Sequence, residues 1–300
     1  MYTLNRRRFI AISASCLALP AAAAPLQQWR GTALGSAASI HLAHPEAKAI
    51  IARAVAEIDR LEDVFSLYRA GSALSRLNRD GGLVAPPFEL LECLSLAGLV
   101  HQATGGLFDP TIQPLWALYA TSFAAGDVPG DAAIAAAQSL TGWEKLGFDN
   151  AEVKMPKGMA LTLNGIAQGY VADRVAQLLR DEGLGNILIN TGELRALGGQ
   201  PDGGAWPVSI AGAGKVALSD RALATSSPLG TVFDAEGRVG HILHPATGRP
   251  AKALWRGVSI SADSAALADA LSTAACLMDS KAAMQQALTA FPEARLEAVT

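Results

Sequence analysis

The 300-residue chain is poor in cysteine, in aromatic residues and in charge: three cysteines, 6% Phe, Trp and Tyr, and 17% Asp, Glu, Lys and Arg. So few cysteines exclude a disulfide scaffold and a multi-cysteine metal cluster. The formal net charge of −3 lacks the basic footprint that nucleic acid requires, so no nucleic-acid partner is expected. There is no P-loop, and no Gly-x-Gly-x-x-Gly fingerprint opens a helix after a strand, which counts against the common nucleotide folds. No apolar run reaches the roughly 20 residues of a bilayer crossing, so no permanent membrane span is expected.

What is present begins with a leader. Asn5-Arg6-Arg7-Arg8-Phe9-Ile10 precedes a short apolar stretch, Ala11 to Leu19, then Pro20 and four alanines. A basic start, an apolar middle and small residues make a secretory signal. The paired arginines before Phe-Ile match the twin-arginine type, so residues 1–24 read as a signal peptide and the mature chain as periplasmic. Cys16 lacks the aliphatic residue three positions upstream that lipidation calls for, which argues against a lipid anchor. Cleavage removes three arginines and no acid, moving the formal charge from −3 to −6. Cys93 and Cys276 then remain in apolar helical patterns; buried free thiols are the default, though an oxidising compartment also admits one disulfide.

Residues 25–300 carry no linker, repeat or low-complexity tract and read as one domain, or two intimately packed lobes. A coarse reading gives helices at about 46–63, where apolar positions recur at helical spacing, and at about 88–103, 131–140, 166–182, 264–278 and 281–290. Strand-like runs are Ala38–Leu42, Met159–Leu163, Ile187–Asn190, Val208–Ala211, Ala222–Thr225 and Arg238–Leu243. Their irregular interleaving predicts an α+β fold with a mixed, largely antiparallel sheet and packed helices.

One helical stretch stands out. Ala266-Leu-Ala-Asp269-Ala-Leu-Ser-Thr273 sets a carboxylate and a hydroxyl four residues apart, on one helix face of an apolar run. A buried carboxylate is costly unless paired, hydrogen-bonded or bound to a cation, and a hard ion such as Mg²⁺ suits these oxygens. A Thr bonding back to its own helix and an Asp reaching the surface would give the same spacing.

Polar and glycine-rich islands break the rest of the chain. In order they are Leu34-Gly35-Ser36, a Tyr68-containing hydroxyl-rich loop over 65–78, Gly106-Leu107-Phe108-Asp109-Pro-Thr111, Thr162-Leu-Asn164-Gly165-Ile-Ala-Gln168-Gly-Tyr170, Asn190-Thr-Gly-Glu193, Thr225-Ser226-Ser227, and His241-Ile242-Leu-His244-Pro-Ala-Thr-Gly248. Each alone is an ordinary turn or helix start. The small residues opening the helix near 166 leave N–H groups available to an anion.

Together, in this order, the motifs resemble the ApbE family of flavin transferases over roughly residues 31–278. The resemblance implies Mg²⁺ and FAD, with FMN joined through a phosphoester to a Thr or Ser of a protein acceptor and AMP released. It places Asp269, Thr273 and the carbonyl of Gly165 on the metal. Leu34, Tyr68, Leu107, Phe108, Asp109, Thr162, Gln168 and Ile242 fall where the family contacts the flavin nucleotide. His241 falls where an acid–base or orienting group is expected; a strand-end histidine bonded to a carbonyl is the plain alternative. The acceptor implied is part of a periplasmic redox or membrane electron-transfer complex.

The chain departs from the family pattern at Thr162 and His244, where Asp is usual, and at Asn164, Gln168 and Ser227. A second acid three residues before the metal Asp is here Ala266, with Asp263 the nearest substitute. Losing a carboxylate at Thr162 and at His244 lowers the local negative charge. Two further activities stay open on the same residues: a Mg²⁺-dependent FAD pyrophosphatase giving FMN and AMP, and a non-catalytic FAD-binding protein.

Overall fold

The structure, a computed structural model, describes residues 25–300; the leader expected over 1–24, with Arg6, Arg7 and Cys16, lies outside the described residues. At its centre is a seven-stranded sheet. Numbering only the strands of this sheet, they are β1 Leu26–Ala33, β2 Ser36–Ala43, β3 Ile187–Asn190, β4 Leu194–Leu197, β5 Ala222–Ser226, β6 Val258–Ala262 and β7 Arg295–Val299. They lie side by side in chain order, and every neighbouring pair is antiparallel. The expected α+β class is realised with no parallel pair in this sheet.

The helices are α1 Ala47–Phe65, α2 Ala73–Asp80, α3 Phe88–Ala103, α4 Gln113–Ala124, α5 Asp131–Ser139, α6 Ala167–Asp181, α7 Ala265–Ala275 and α8 Lys281–Leu288. Side chains alternate across a strand, so the middle strands β3, β4 and β5 serve two cores. Ile187, Ile189, Ala222 and Ala224 join the main core with α1, α3, α6 and α7. Ala196 and Leu223 point the other way, under the hairpin Trp206–Ile210/Gly214–Leu218. A third, smaller cluster unites Leu115 and Tyr119 of α4, Ile134 of α5 and Leu243.

Helices α6 and α7 pack very closely. A Cβ on Gly169 would sit 2.2 Å from the carbonyl oxygen of Ala265, so only glycine allows this approach. Asp173 of α6 caps α7: its carboxylate accepts from Ala265 N at 2.9 Å, Ala266 N at 3.0 Å and Ser264 Oγ at 2.8 Å. These bonds satisfy donors that a helix start leaves open, and they fix which way the rest of α7 faces.

Two expected strands are absent. Residues 159–163 run without a sheet partner because the Asn78 amide takes both backbone groups of Leu161, at 2.7 and 2.8 Å. Over 238–243, Asp234 accepts from the N–H of Arg238 and Val239, folding a turn; only a bridge between Val232 and Gly240 and the short pair Leu243–His244/Arg249–Pro250 remain. The loop read over 65–78 includes the start of α2, capped by Ser72 and stopped by Gly81 at φ 71°. Helix α4 has no amphipathic signal and was not expected from periodicity. Cys93 and Cys276 are buried free thiols, and burial pushes both up, Cys276 to about 12. Among the described residues, no helix is long and apolar enough to cross a membrane.

Candidate active site

A cavity of about 320 Å³ opens where the third cluster meets the main core. This is within the range of small-molecule sites. Its lining gathers Leu107, Phe108 and Asp109, then Thr162, Gly165 and Gln168, then His241 and Ile242, then Asp269 and Thr273. Segments more than 150 residues apart in sequence thus converge on one space.

The inner wall belongs to α6, α7 and the end of β5. Asp269 is 3% exposed, and one oxygen accepts a long bond, 3.4 Å, from Gly169 N. The N–H groups foreseen for an anion therefore include one that faces a protein carboxylate instead. Thr273 Oγ1 lies 3.2 Å from Ser226 Oγ, which also bonds Ser272 Oγ at 2.7 Å. A Cβ on Gly165 would meet Thr273 Oγ1 at 3.0 Å, so this glycine brings its backbone against the hydroxyl. The spacing argument for Asp269 and Thr273 holds: both face the cavity.

Glu193, from the turn between β3 and β4, also faces this space and is 8% exposed. Sequence reading had it only as part of a polar turn. Desolvation raises its pKa first, and the Asp269 charge raises it further. Asp269 is raised by desolvation too. Neither carboxylate is offset by a basic side chain among the described residues. Among the described residues, no group of three His, Cys, Asp or Glu is arranged to hold a metal. The polar groups on this wall are two carboxylates with few hydrogen bonds and the hydroxyls of Thr273 and Ser226, with the Gly165 backbone close by. That set fits a hard divalent cation completed by substrate oxygens.

The outer wall is a turn and two loops. Asp109 accepts from Thr111 N at 2.8 Å and Thr111 Oγ1 at 2.7 Å, so its carboxylate shapes the Phe-Asp-Pro-Thr turn; desolvation raises its pKa. Thr162 N donates to Pro110 O at 2.8 Å, joining that turn to the approach of α6. His241 Nδ1 lies 3.0 Å from Thr231 O and its backbone N donates to the same oxygen at 3.1 Å. This carbonyl selects the Nδ1–H tautomer and leaves Nε2 as an acceptor. Desolvation lowers the His241 pKa, keeping the ring neutral. His244 does what an Asp can do in such a turn: its Nδ1 accepts from Ala246 N at 3.1 Å. Trp116, in contact with Phe233, lines the same wall and was not foreseen.

Leu34 and Tyr68 do not line the cavity. Leu34 sits at φ 48° with its N–H donating to Glu62 Oε1 at 2.8 Å. Tyr68 is 78% exposed, beside Gly35. The turn nonetheless adjoins the inner wall, because Gln168 Nε2 donates to Ser36 Oγ at 2.6 Å. Both residues lie outside the cavity lining.

Comparison with known proteins gives this arrangement a lineage. The ApbE family model matches residues 34–298. A Klebsiella pneumoniae protein named FAD:protein FMN transferase is 32% identical over 215 residues, 68% of this chain and 67% of its own. One of the same name from Vibrio cholerae is 31% identical over 249 residues, 76% and 74% of the two chains. The solved ApbE protein of Thermotoga maritima superposes with a TM-score of 0.81 at 27% identity, covering 92% of this chain and 96% of that one. By sequence, by fold and by the motifs assembled around the cavity, this chain belongs to the ApbE family.

Proposed function

We propose that this protein transfers FMN from FAD to a Thr or Ser hydroxyl of a protein acceptor, with AMP leaving. The observation that carries the reading is one cavity with unlike walls: on one side carboxylates with no basic partner among the described residues and hydroxyls, and on the other a neutral histidine whose Nδ1 is taken by Thr231 O.

Phosphoryl transfer between oxygens depends mostly on positioning and charge neutralisation. The acceptor oxygen bonds to the phosphorus on the FMN side of the FAD pyrophosphate, and the bond from that phosphorus to the bridging oxygen breaks, so AMP departs. The hydroxyl proton passes to His241 Nε2. Asp269, Thr273 and the Gly165 carbonyl would hold Mg²⁺, which when bound neutralises charge on the pyrophosphate. The 107–109 turn, Thr162, Gln168 and Ile242 position the nucleotide, and Leu34 and Tyr68 close the rim over it. Export through the twin-arginine leader places this activity, and an acceptor in a redox complex, in the periplasm.

Incubation of the mature protein with FAD, Mg²⁺ and a flavin-acceptor domain, read by mass spectrometry, tests the reading. One FMN added to the acceptor, with AMP released, supports transfer. AMP and free FMN with unmodified acceptor would make the protein a pyrophosphatase. Bound, unchanged FAD beside a competent acceptor would make it a binder.

A further inference from the structure

We propose that Glu193 is a second carboxylate of the cation site, facing the divalent ion together with Asp269. This rests on the reading of the cavity given above and names a residue that the Asp269, Gly165 and Thr273 set does not include.

Placement comes first. Glu193 ends the tight turn between β3 and β4, in which Gly192 N donates to Asn190 Oδ1 at 2.9 Å and Gly192 holds φ 107°. That turn is fastened to the start of α6. Thr191 Oγ1 donates to Gln168 O at 2.7 Å, and a Cβ on Gly192 would strike the Gln168 amide oxygen at 2.5 Å. The next residue along α6, Gly169, is the one whose N–H reaches Asp269. From the other side, Glu193 Oε2 accepts from Thr225 N at 3.2 Å, next to the Ser226 that contacts Thr273. Glu193 is thus held on both sides against the residues expected to take the ion.

Charge and hydrogen bonding argue the same way. Glu193 and Asp269 have four carboxylate oxygens, and protein donors reach only Oε2 of one and Oδ2 of the other among the described residues. Two buried carboxylates in one cavity repel, and burial without a partner is costly for each. Asp269 alone offers one negative charge against two positive ones, while Thr273 and the Gly165 carbonyl are neutral. Glu193 brings the balance to zero before any phosphate arrives. A merely structural glutamate would be expected to find a basic partner or a fuller set of donors.

The test is binding of Mn²⁺ alone to the mature protein, read from the electron spin resonance of the free ion. Thermal unfolding is followed with and without Mg²⁺. In Glu193→Gln the dissociation constant should rise about tenfold or more, the scale seen when supporting groups of a metal site are removed. The ion-free variant should unfold at or above the wild-type temperature, because repulsion is relieved, and the increment given by Mg²⁺ should shrink. A structural role predicts the reverse, a less stable ion-free protein with Mn²⁺ affinity unchanged. Wild-type uptake that Glu193→Gln retains in full overturns the inference and leaves the transferase reading standing. No uptake by the wild type overturns the cation site and the inference with it, while FMN transfer is judged by its own assay. A readout without substitution is the ¹³C carboxyl spectrum of glutamate-labelled wild type. One signal should broaden at low Mn²⁺, and bound ion with no broadened glutamate also overturns the inference.

Discussion

The two walls of the cavity are built on opposite plans. The inner wall lies on α6, α7 and β5, where nearly every neighbour is buried: Ala266, Ala268, Ala270 and Leu271 of α7 are at most 1% exposed. Its polar groups point out of close-packed helices, and their positions are set by packing. The outer wall rests on the small cluster of Leu115, Tyr119, Ile134 and Leu243 and on a loop held by single carbonyls and turn bonds. A charged group needs the first kind of support, because its cost of burial must be borne by a rigid frame. A proton acceptor and a substrate-sized opening need the second. The difference teaches how each substitution should be felt: through packing and metal on one side, through proton transfer on the other.

The sharpest break of this contrast is Asp269→Ala. Loss of several kcal/mol of charge stabilisation corresponds to about 10³-fold or more in rate. AMP release from FAD should fall by that factor while the far-ultraviolet circular dichroism stays that of the wild type. Full activity in this variant would reduce the Asp269–Thr273 pair to packing.

On the outer wall, His241→Ala should lower transfer by about 10²-fold or more, the range for a lost general base. FAD binding, followed by flavin fluorescence, should be little changed. With its pKa lowered by desolvation, the neutral ring persists below the usual histidine range. The acid limb of kcat against pH should therefore fall below about 6.5.

Gly169→Ala is the inner wall's stability counterpart. Its Cβ would collide with the backbone of Ala265 and Ala266, at 2.2 to 2.6 Å, so α6 and α7 must separate. Overpacking of this kind costs about 1–3 kcal/mol, to be read from chemical denaturation. Separation would also displace the N–H that reaches Asp269, so Mg²⁺ affinity should fall with stability.

The acid pair gives a pH signature that the outer wall lacks. Desolvation raises both Glu193 and Asp269 above their ordinary values. Below about pH 4 the native and unfolded chains both keep these protons. Above it, up to the raised native values, the unfolded chain has released protons that the native chain retains, so stability falls as pH rises. Ion-free protein should thus lose unfolding temperature from weakly acid to neutral pH, and Mg²⁺ should restore it at neutral pH. An increase over that range without the ion would contradict the placement of the pair.

The smallest effect belongs to the rim. Tyr68→Ala removes a ring that is mostly in solvent and should change stability by less than about 0.5 kcal/mol. Weaker FAD binding at unchanged stability would place the ring on the nucleotide.

Much of this was legible in the chain. The sequence placed α1, α3, α5, α6, α7 and α8 to within a few residues; α1 and α6 carry an apolar stripe, and α7 and α8 carry a capping serine of their own. It missed α4, which is apolar on all sides, and α2, which is short and polar. The strand expected over 159–163 failed because a side chain, Asn78, supplies the pairing that a neighbouring strand would. The i, i+4 pair on α7 was readable because helix geometry fixes it locally. Glu193 was not, since its neighbour in space lies 76 residues away in sequence.

By itself, then, the sequence determined the α+β class, most of the helices, the order of the motifs and the common face of Asp269 and Thr273. All of these follow from local dihedral preference and short-range spacing. Tertiary structure alone decided that Glu193 shares a cavity with Asp269, that Leu34 and Tyr68 stay out of its lining, and that the His241 carrier is a loop. Those outcomes depend on which buried charges find partners and on how closely α6 can approach α7. Both are properties of the packed chain, not of any window along it.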